Sequence, residues 1–209
     1  MKLRRVALAG LGVLVGGGLV FGATPIGRDV LFHAVPIRWT GEAERLAAAL
    51  GLAPGSAVAD IGAGDGGLAV ELARHVGSEG RVFASERTPE QRQRIAARAA
   101  RAGVAITVIE AADGATNLPD ACCDAIAMRM VLHHVGEPEG FARELRRSVK
   151  RGGRVGIIDF APGALPHLAD DHGVGADRVI EAFTAAGFVV DTRDDRWGGR
   201  TFLIVFAAP

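Results

Sequence analysis

The sequence of 209 residues has no tyrosine, only two cysteines and a formal net charge of zero at pH 7. A chain without excess positive charge has no electrostatic preference for nucleic acid, so we expect no nucleic-acid partner. The two cysteines, Cys122 and Cys123, are neighbours, and their Cα atoms are too close for ordinary disulfide geometry. We therefore expect no structural disulfide, and we find no cysteine–histidine spacing typical of a metal site.

The first 26 residues differ from the rest of the chain. Lys2, Arg4 and Arg5 precede an uncharged run over Val6–Ala23, which is a basic start followed by an apolar segment. Such a run predicts a membrane anchor, a cleaved export signal or a buried helix, because about 18 residues is the lower limit for spanning a bilayer. The first two possibilities place the protein in the cell envelope. The positive-inside rule would put a globular domain at residues 27–209 across the membrane.

Strand-like and helix-like runs alternate from residue 40 onward. The predicted strands are Ser56–Ile61, Arg81–Ser85, Val104–Glu110, Cys123–Met128, Arg154–Phe160, Phe188–Thr192 and Thr201–Ala207. The predicted helices are 40–52, Leu68–His75, 89–102 after a cap at Thr88, Pro138–Lys150 closed by Gly152 and Gly153, and Arg178–Ala186. Alternation predicts an α/β fold with a doubly wound, mostly parallel sheet covered on both faces. The last two strands have no helix between them and should pair antiparallel.

A glycine cluster follows the first predicted strand, in VADIGAGDGG at residues 58–67. Gly62, Gly64 and Gly67 have the dinucleotide-binding spacing, and the acid Glu86 follows about twenty residues later. The helix N-terminus after the loop offers N–H groups to an anion, and Glu86 can accept hydrogen bonds from ribose hydroxyls. Up to this point NAD and S-adenosylmethionine fit the pattern equally well.

Three features favour S-adenosylmethionine over NAD(P) and an oxidoreductase. Asp60 lies two residues before Gly62, where a carboxylate repels a pyrophosphate but attracts a sulfonium and an ammonium group. Asp113 follows the third strand, where it can accept a hydrogen bond from an adenine amino group. No second substrate domain follows, although hydride-transferring enzymes usually have one.

These stretches, with RVFASE, AADGATNLPDACCDAIAMRMVLHHV and LRRSVKRGGRVGIIDF, resemble the class I S-adenosylmethionine-dependent methyltransferases over roughly residues 40–209. The His133–His134 pair and the late DHGV stretch resemble a subgroup of small bacterial members, many with an exported N-terminus. The resemblance implies a Rossmann-like, seven-stranded sheet of order 3-2-1-4-5-7-6 with strand 7 antiparallel. The candidate cofactor-binding residues are Asp60, Gly62, Ala63, Gly64, Asp65, Glu86, Arg87, Asp113, Gly114 and Arg129.

The candidate catalytic residues follow the fourth and fifth strands and a later loop. They are His133, His134, Asp159 and His172. A histidine base suits a hydroxyl or amine acceptor near neutral pH. Adjacent residues of a helix point about 100° apart, so at most one of the paired histidines faces the site directly. The other interpretation is that one histidine packs beneath the cofactor and its neighbour faces solvent. We expect no metal, because the ligand spacing is not specific.

The resulting expectation is methyl transfer from S-adenosylmethionine to a small-molecule acceptor. Dispersed thiols for arsenite and an aromatic cage for a quinone or methylated amine are both missing from the sequence. An alternative is a catalytically silent protein of the cell envelope that binds S-adenosylmethionine, because this cofactor is made in the cytoplasm. The less favoured alternative is the NAD(P)-dependent oxidoreductase.

Overall fold

Seven strands form one sheet in the part of the chain that the computed structural model describes, residues 39–164 and 173–209. The strands are β1 Ala57–Ile61, β2 Arg81–Glu86, β3 Thr107–Glu110, β4 Cys123–Arg129, β5 Val149–Phe160, β6 Val189–Asp194 and β7 Thr201–Ala207. Their order is β3-β2-β1-β4-β5-β7-β6. Strands β1 to β5 are parallel, and β7 runs antiparallel to both β5 and β6. The predicted fold class, order and direction are confirmed.

Helices cover both faces of the sheet, as the alternating pattern predicted. The α-helices of the described residues are α1 Trp39–Ala49, α2 Gly67–Val76, α3 Pro89–Ala102, α4 Pro138–Ser148 and α5 Ala176–Ala185. Leu46, Leu72 and Ile95 bring α1, α2 and α3 into one apolar layer. Phe141 and Phe183 bring α4 and α5 into the other layer. Burial of these side chains supplies the main stabilising free energy of the fold.

Local sequence signals explain where α3 begins and ends. The Thr88 hydroxyl accepts a hydrogen bond from the backbone N–H of Gln91 at 3.3 Å, and Pro89 occupies the first helical position. Gly103 closes the helix with a φ of 68°, and the N–H of Val104 bonds back to the helix. Because its amide is bonded to α3, Val104 does not start β3, which begins at Thr107. The predicted strand, Val104–Glu110, is therefore too long at its amino end.

The start of β5 also differs from the prediction. Helix α4 ends at Ser148 and β5 begins at Val149, so Gly152 and Gly153 lie inside the strand and do not close the helix. A Cβ atom at Gly153 would lie 2.7 Å from the carbonyl oxygen of Asp124, which means that glycine permits a close approach of β4 and β5. The register between these strands shifts at this place. Other predicted boundaries agree to within a few residues.

The carboxyl ends of the parallel strands meet at one edge of the sheet, where an open α/β sheet binds its ligands.

The two cysteines lie just before and at the start of β4. Both are buried, and neither is in a disulfide.

Among the described residues, no helix has both the length and the apolar character needed to cross a membrane. The predicted anchor or signal at 1–26 lies outside the described residues.

Candidate functional site

The loop after β1 is tied to the end of β2. The backbone N–H groups of Gly62 and Ala63 donate to the carbonyl oxygen of Ser85 at 2.8 and 3.1 Å. Gly62 has a φ of +65°, and a Cβ atom there would lie 2.4 Å from a methyl carbon of Val131. Only glycine satisfies both the left-handed backbone and this close packing, which explains the first glycine of the motif.

Glu86 holds the middle of the same loop. One of its carboxylate oxygens accepts the backbone N–H of Gly64 at 3.0 Å, and the other accepts the N–H of Arg87 at 2.7 Å. A carboxylate has about four lone-pair positions, so two backbone bonds leave it able to accept further hydrogen bonds from a ligand. The carboxylate therefore fixes the loop and presents acceptor oxygens at the carboxyl edge.

A cleft of about 1010 Å³ opens at this edge. Its lining residues are Ile61, Gly62, Ser85, Glu86, Arg87, Ala111, Ala112, Asp113, Gly114, Ala115, Thr116, Met130, Val131, His134, Val135, Gly136, Glu137, Gly140 and Phe141. Six of the predicted site residues are among them: Gly62, Glu86, Arg87, Asp113, Gly114 and His134. The volume and the mixture of apolar walls with a few polar groups are typical of a small-molecule site.

The predicted residues Asp65, Arg87 and Asp113 are engaged in ion pairs. Asp65 accepts the N–H of Gly67, the first residue of α2, at 3.1 Å and pairs with Arg98, and it does not line the cleft. Arg87 pairs with Asp113 at 2.6 Å. The Asp113 side chain is 85% exposed, so solvent screens this pair strongly.

The predicted catalytic residues His133 and Asp159 form a bonded pair behind the cleft wall. Asp159 is fully buried, and its carboxylate lies 2.6 Å from Nδ1 of His133. The carboxylate also accepts the backbone N–H groups of His133 at 3.1 Å and Phe160 at 2.7 Å. Because the carboxylate accepts these hydrogen bonds, Nδ1 of His133 carries the proton that it donates to Asp159.

His134 lines the cleft and is exposed, whereas His133 is turned away from it. Both residues belong to a 3₁₀ turn, Leu132–His134, and their ring centroids are 4.0 Å apart. Of the two adjacent histidines, His134 borders the cleft and His133 does not. His172 lies outside the described residues.

Arg129, at the end of β4, is outside the cleft lining. Its Nε atom donates to Glu42 of α1 at 2.9 Å, and its side chain is 13% exposed. Its charge acts on Asp60, since Arg129 lowers the pKa of that carboxyl group. The prediction from the sequence contained no partner from α1 for this residue.

Several cleft residues were missed by reasoning from the sequence: Ser85, Thr116, Met130, Glu137 and Phe141. Met130 has a φ of +55°, which is uncommon for a residue with a side chain and often marks a functional position. No sequence signal indicates this conformation. Thr116 lines the cleft because no helix intervenes between β3 and β4 and loop residues lie there instead, whereas Phe141 reaches the cleft from helix α4.

The described residues contain no group of three or more histidine, cysteine, aspartate or glutamate side chains arranged to hold a metal ion.

Comparison with known proteins agrees with this geometry. Residues 59–157 match a family model described as a methyltransferase domain. This segment is similar to a methyltransferase domain, and the sheet has the Rossmann-like methyltransferase fold. A methyltransferase structure from Aquifex aeolicus, described as S-adenosylmethionine-dependent, superposes with a TM-score of 0.76 at 23% identity and covers 87% of this chain and 98% of that one. The prediction of S-adenosylmethionine as the cofactor, rather than a nicotinamide dinucleotide, is confirmed.

Two curated relatives are methyltransferases of quinone metabolism. The 2-phytyl-1,4-naphtoquinone methyltransferase of Synechococcus elongatus is 31% identical over 135 residues, which is 64% of this chain and 58% of the relative. The ubiquinone/menaquinone biosynthesis C-methyltransferase of Hydrogenovibrio crunogenus is 27% identical over 154 residues, 72% of this chain and 59% of the relative. The chain spans 41% to 59% of the length of the curated relatives it matches.

Asp60, in the segment that matches the family model, is a buried acid that fits a cationic ligand. It is 2% exposed, and its Oδ2 atom is the one buried side-chain oxygen or nitrogen of the described residues without a hydrogen-bond partner. Burial raises the pKa of Asp60 to about 7, while Arg129 and the N–H of Ala69 lower it. An ammonium group such as that of S-adenosylmethionine would give this oxygen the partner that it lacks.

We predict that Asp60→Asn stabilises the ligand-free domain above pH 7. The folded carboxyl group stays protonated up to about pH 7, whereas the unfolded one ionises near its ordinary value of 3.8, so folding stability falls as the pH rises between these values. This difference in pKa between the folded and unfolded states lowers the stability of the wild-type protein by about 4 kcal/mol above pH 7. The buried amide of the variant, without hydrogen-bond partners, costs about 1–3 kcal/mol. The net gain in stability is therefore about 1–3 kcal/mol.

Urea unfolding of both proteins between pH 4 and pH 9 measures this difference. The gain should grow up to about pH 7 and then stay constant. The matched control is Asp113→Asn, which changes an exposed acid of the same cleft and should leave stability unchanged. A gain that is independent of pH would contradict the prediction.

Proposed function

We propose that the protein transfers a methyl group from S-adenosylmethionine to a small-molecule acceptor bound at the carboxyl edge of the sheet. The observation that carries the proposal is the glycine loop held by Glu86 at the rim of a cleft of about 1010 Å³, together with the buried acid Asp60, whose Oδ2 atom has no hydrogen-bond partner. The family match over residues 59–157 supports the same reaction class.

The cofactor-binding roles follow from the chemistry of the lining groups. Glu86 would accept hydrogen bonds from the ribose hydroxyls, and Asp113 one from the adenine amino group. Asp60 would pair with the ammonium group at the other end of the cofactor. Gly62 and Gly114 lack side chains where the loop backbones border the cleft, so they would leave room for the ligand.

The cofactor supplies the methyl group and a neutral thioether leaving group that needs no acid. The chain must then hold the acceptor in line with the methyl group and remove the acceptor's proton. His134 is the residue of the histidine pair that borders the cleft, and we assign it this proton-accepting function. His133, fixed by Asp159 and in contact with the ring of His134, is a positioning residue.

The acceptor is, in this proposal, a partly apolar small molecule with a hydroxyl, an amine or an acidic C–H group. Met130, Val131, Val135 and Phe141 give the cleft apolar walls, and His134 supplies a base. Two relatives are named for methylation of quinones or their precursors, which are molecules of this kind. We extend to this chain only the chemical class and not the compounds.

We predict that Glu86→Gln weakens binding of S-adenosylhomocysteine by about tenfold or more, because a hydrogen bond to a charged group contributes about 1.5–3 kcal/mol. Isothermal titration calorimetry measures the affinity. Glu110→Gln is the matched control: it removes an acid at the end of β3 that pairs with Arg92 at 3.3 Å and does not line the cleft. Tight binding of NAD without binding of S-adenosylhomocysteine would overturn the proposed cofactor site.

We predict that His134→Asn lowers methyl transfer by about 10²–10⁴-fold, which is the usual contribution of a general base. Affinity for S-adenosylhomocysteine should stay within about twofold, because His134 acts on the acceptor. The assay follows labelled methyl groups from S-adenosylmethionine into a small-molecule cell extract. His75→Asn is the control, since this histidine lies near the carbonyl oxygen of Leu52, away from the cleft.

Two outcomes of this assay would contradict the proposed mechanism. Unchanged transfer by His134→Asn would exclude the assigned base. Tight binding of S-adenosylhomocysteine by the wild-type protein without any labelled product would favour a silent binding protein.

We also propose that residues 1–26 target the protein to the cell envelope, as an uncleaved anchor or a cleaved signal. Support comes from the sequence alone, from three basic residues followed by the uncharged run Val6–Ala23. A C-terminal fusion to alkaline phosphatase, active only outside the cytoplasm, should be active with the full chain. It should be inactive when residues 1–26 are deleted. Equal inactivity of both fusions, with the protein in the cytoplasmic fraction, would refute the proposal.

A further inference from the structure

Four side chains join three distant segments at the carboxyl edge of the sheet; we call them the Glu42 cluster. They are Glu42 and Arg45 of α1, Arg129 at the end of β4, and Trp197 in the turn between β6 and β7. Glu42 accepts Nε of Arg129 at 2.9 Å with one oxygen and Nε1 of Trp197 at 3.2 Å with the other. Three of the four residues lie outside the segment 59–157 that matches the family model.

The cluster fixes the position of the Arg129 side chain. Both carboxylate oxygens of Glu42 are bonded, and its side chain is only 15% exposed. Trp197 is in turn held by Arg45, whose guanidinium lies 4.0 Å from the indole centroid and donates to the Trp197 carbonyl oxygen at 2.8 Å. Each member is therefore restrained by the next.

The guanidinium of Arg129 connects the other three members of the cluster to the binding cleft. Its Nη1 atom is 3.2 Å from the sulfur of Met130, and Met130 lines the cleft. Its positive charge also acts on Asp60, which has a buried oxygen without a partner. Asp60 is in register with Ala127 of β4, and Arg129 lies two residues further along that strand, so the acid and the cation are diagonal neighbours on one face of the sheet.

This pair of charges matches an α-amino acid. The amino-acid end of the cofactor carries an ammonium group and a carboxylate on one carbon, and the proposed function already assigns the ammonium to Asp60. We propose that Arg129 binds the carboxylate of the cofactor's amino-acid end and that Glu42 and Trp197 position its guanidinium to do so. The inference rests on the proposed function and adds α1 and the β6–β7 turn to the cofactor site.

Two ligands separate this proposal from a purely structural function of the cluster. S-adenosylhomocysteine carries the amino-acid end, whereas 5′-methylthioadenosine has the same nucleoside and thioether without it. We expect Arg129→Gln to weaken S-adenosylhomocysteine binding by about 10–100-fold, which corresponds to the loss of a hydrogen bond between charged groups. Binding of 5′-methylthioadenosine should change by less than about twofold.

Variants of the positioning residues test the second half of the proposal. Glu42→Gln and Trp197→Phe should each weaken S-adenosylhomocysteine binding by a smaller factor, about 3–10-fold, again without affecting 5′-methylthioadenosine. The matched control is Arg154→Gln, because Nε of Arg154 also donates to a carboxylate, that of Asp191 at 3.1 Å. It should leave both affinities unchanged.

Each result of the titrations has a distinct meaning. Equal losses for the two ligands, or no loss for either in all three cluster variants, would overturn the inference. Should Arg129→Gln fail to fold, Glu42→Gln and Trp197→Phe decide by the same comparison. Failure of the wild-type protein to bind S-adenosylhomocysteine would instead refute the proposed function.

Discussion

The buried carboxyl group of Asp60 sets the electrostatic constraint on the whole carboxyl edge of the sheet. It lies in the inner strand β1, where the neighbouring strands β2 and β4 and the covering helices exclude water. Burial of such a group costs free energy unless charge or hydrogen bonds compensate it. Arg129 supplies part of the compensation, and Glu42 in turn balances Arg129. The buried Asp60 therefore explains why Arg129 and Glu42 are found together at the carboxyl edge of the sheet.

The two ends of the site are built in different ways. At the Glu86 end, every contact comes from strand ends and the loops directly after them, so the sheet itself aligns the groups. At the Asp60 end, the aligning groups come from α1 and from the β6–β7 turn. A site of this kind has one part that forms with the central sheet and another that requires the outer segments to pack correctly.

Most of the element boundaries could be predicted because they depend on local periodicity and on glycine and proline signals, whereas the sheet order was implied by the family resemblance. Glu86 and Gly62 could be placed near each other, since parallel strands end at a common edge. The bond between Glu42 and Trp197 could not be predicted, because the two residues are 155 positions apart and no pattern links them. The left-handed backbone at Met130 and the early start of β5 likewise result from packing that a single sequence does not encode locally.

Strand β7 lies between β5 and β6 although it follows both in the sequence. Within the sheet, β6 pairs only with β7, and six of the seven β7 residues are buried. Strand β6 can therefore join the sheet only together with β7 or after it. An earlier strand thus depends on the last strand of the sheet for its place, and β5 presents an unpaired edge until β7 is available.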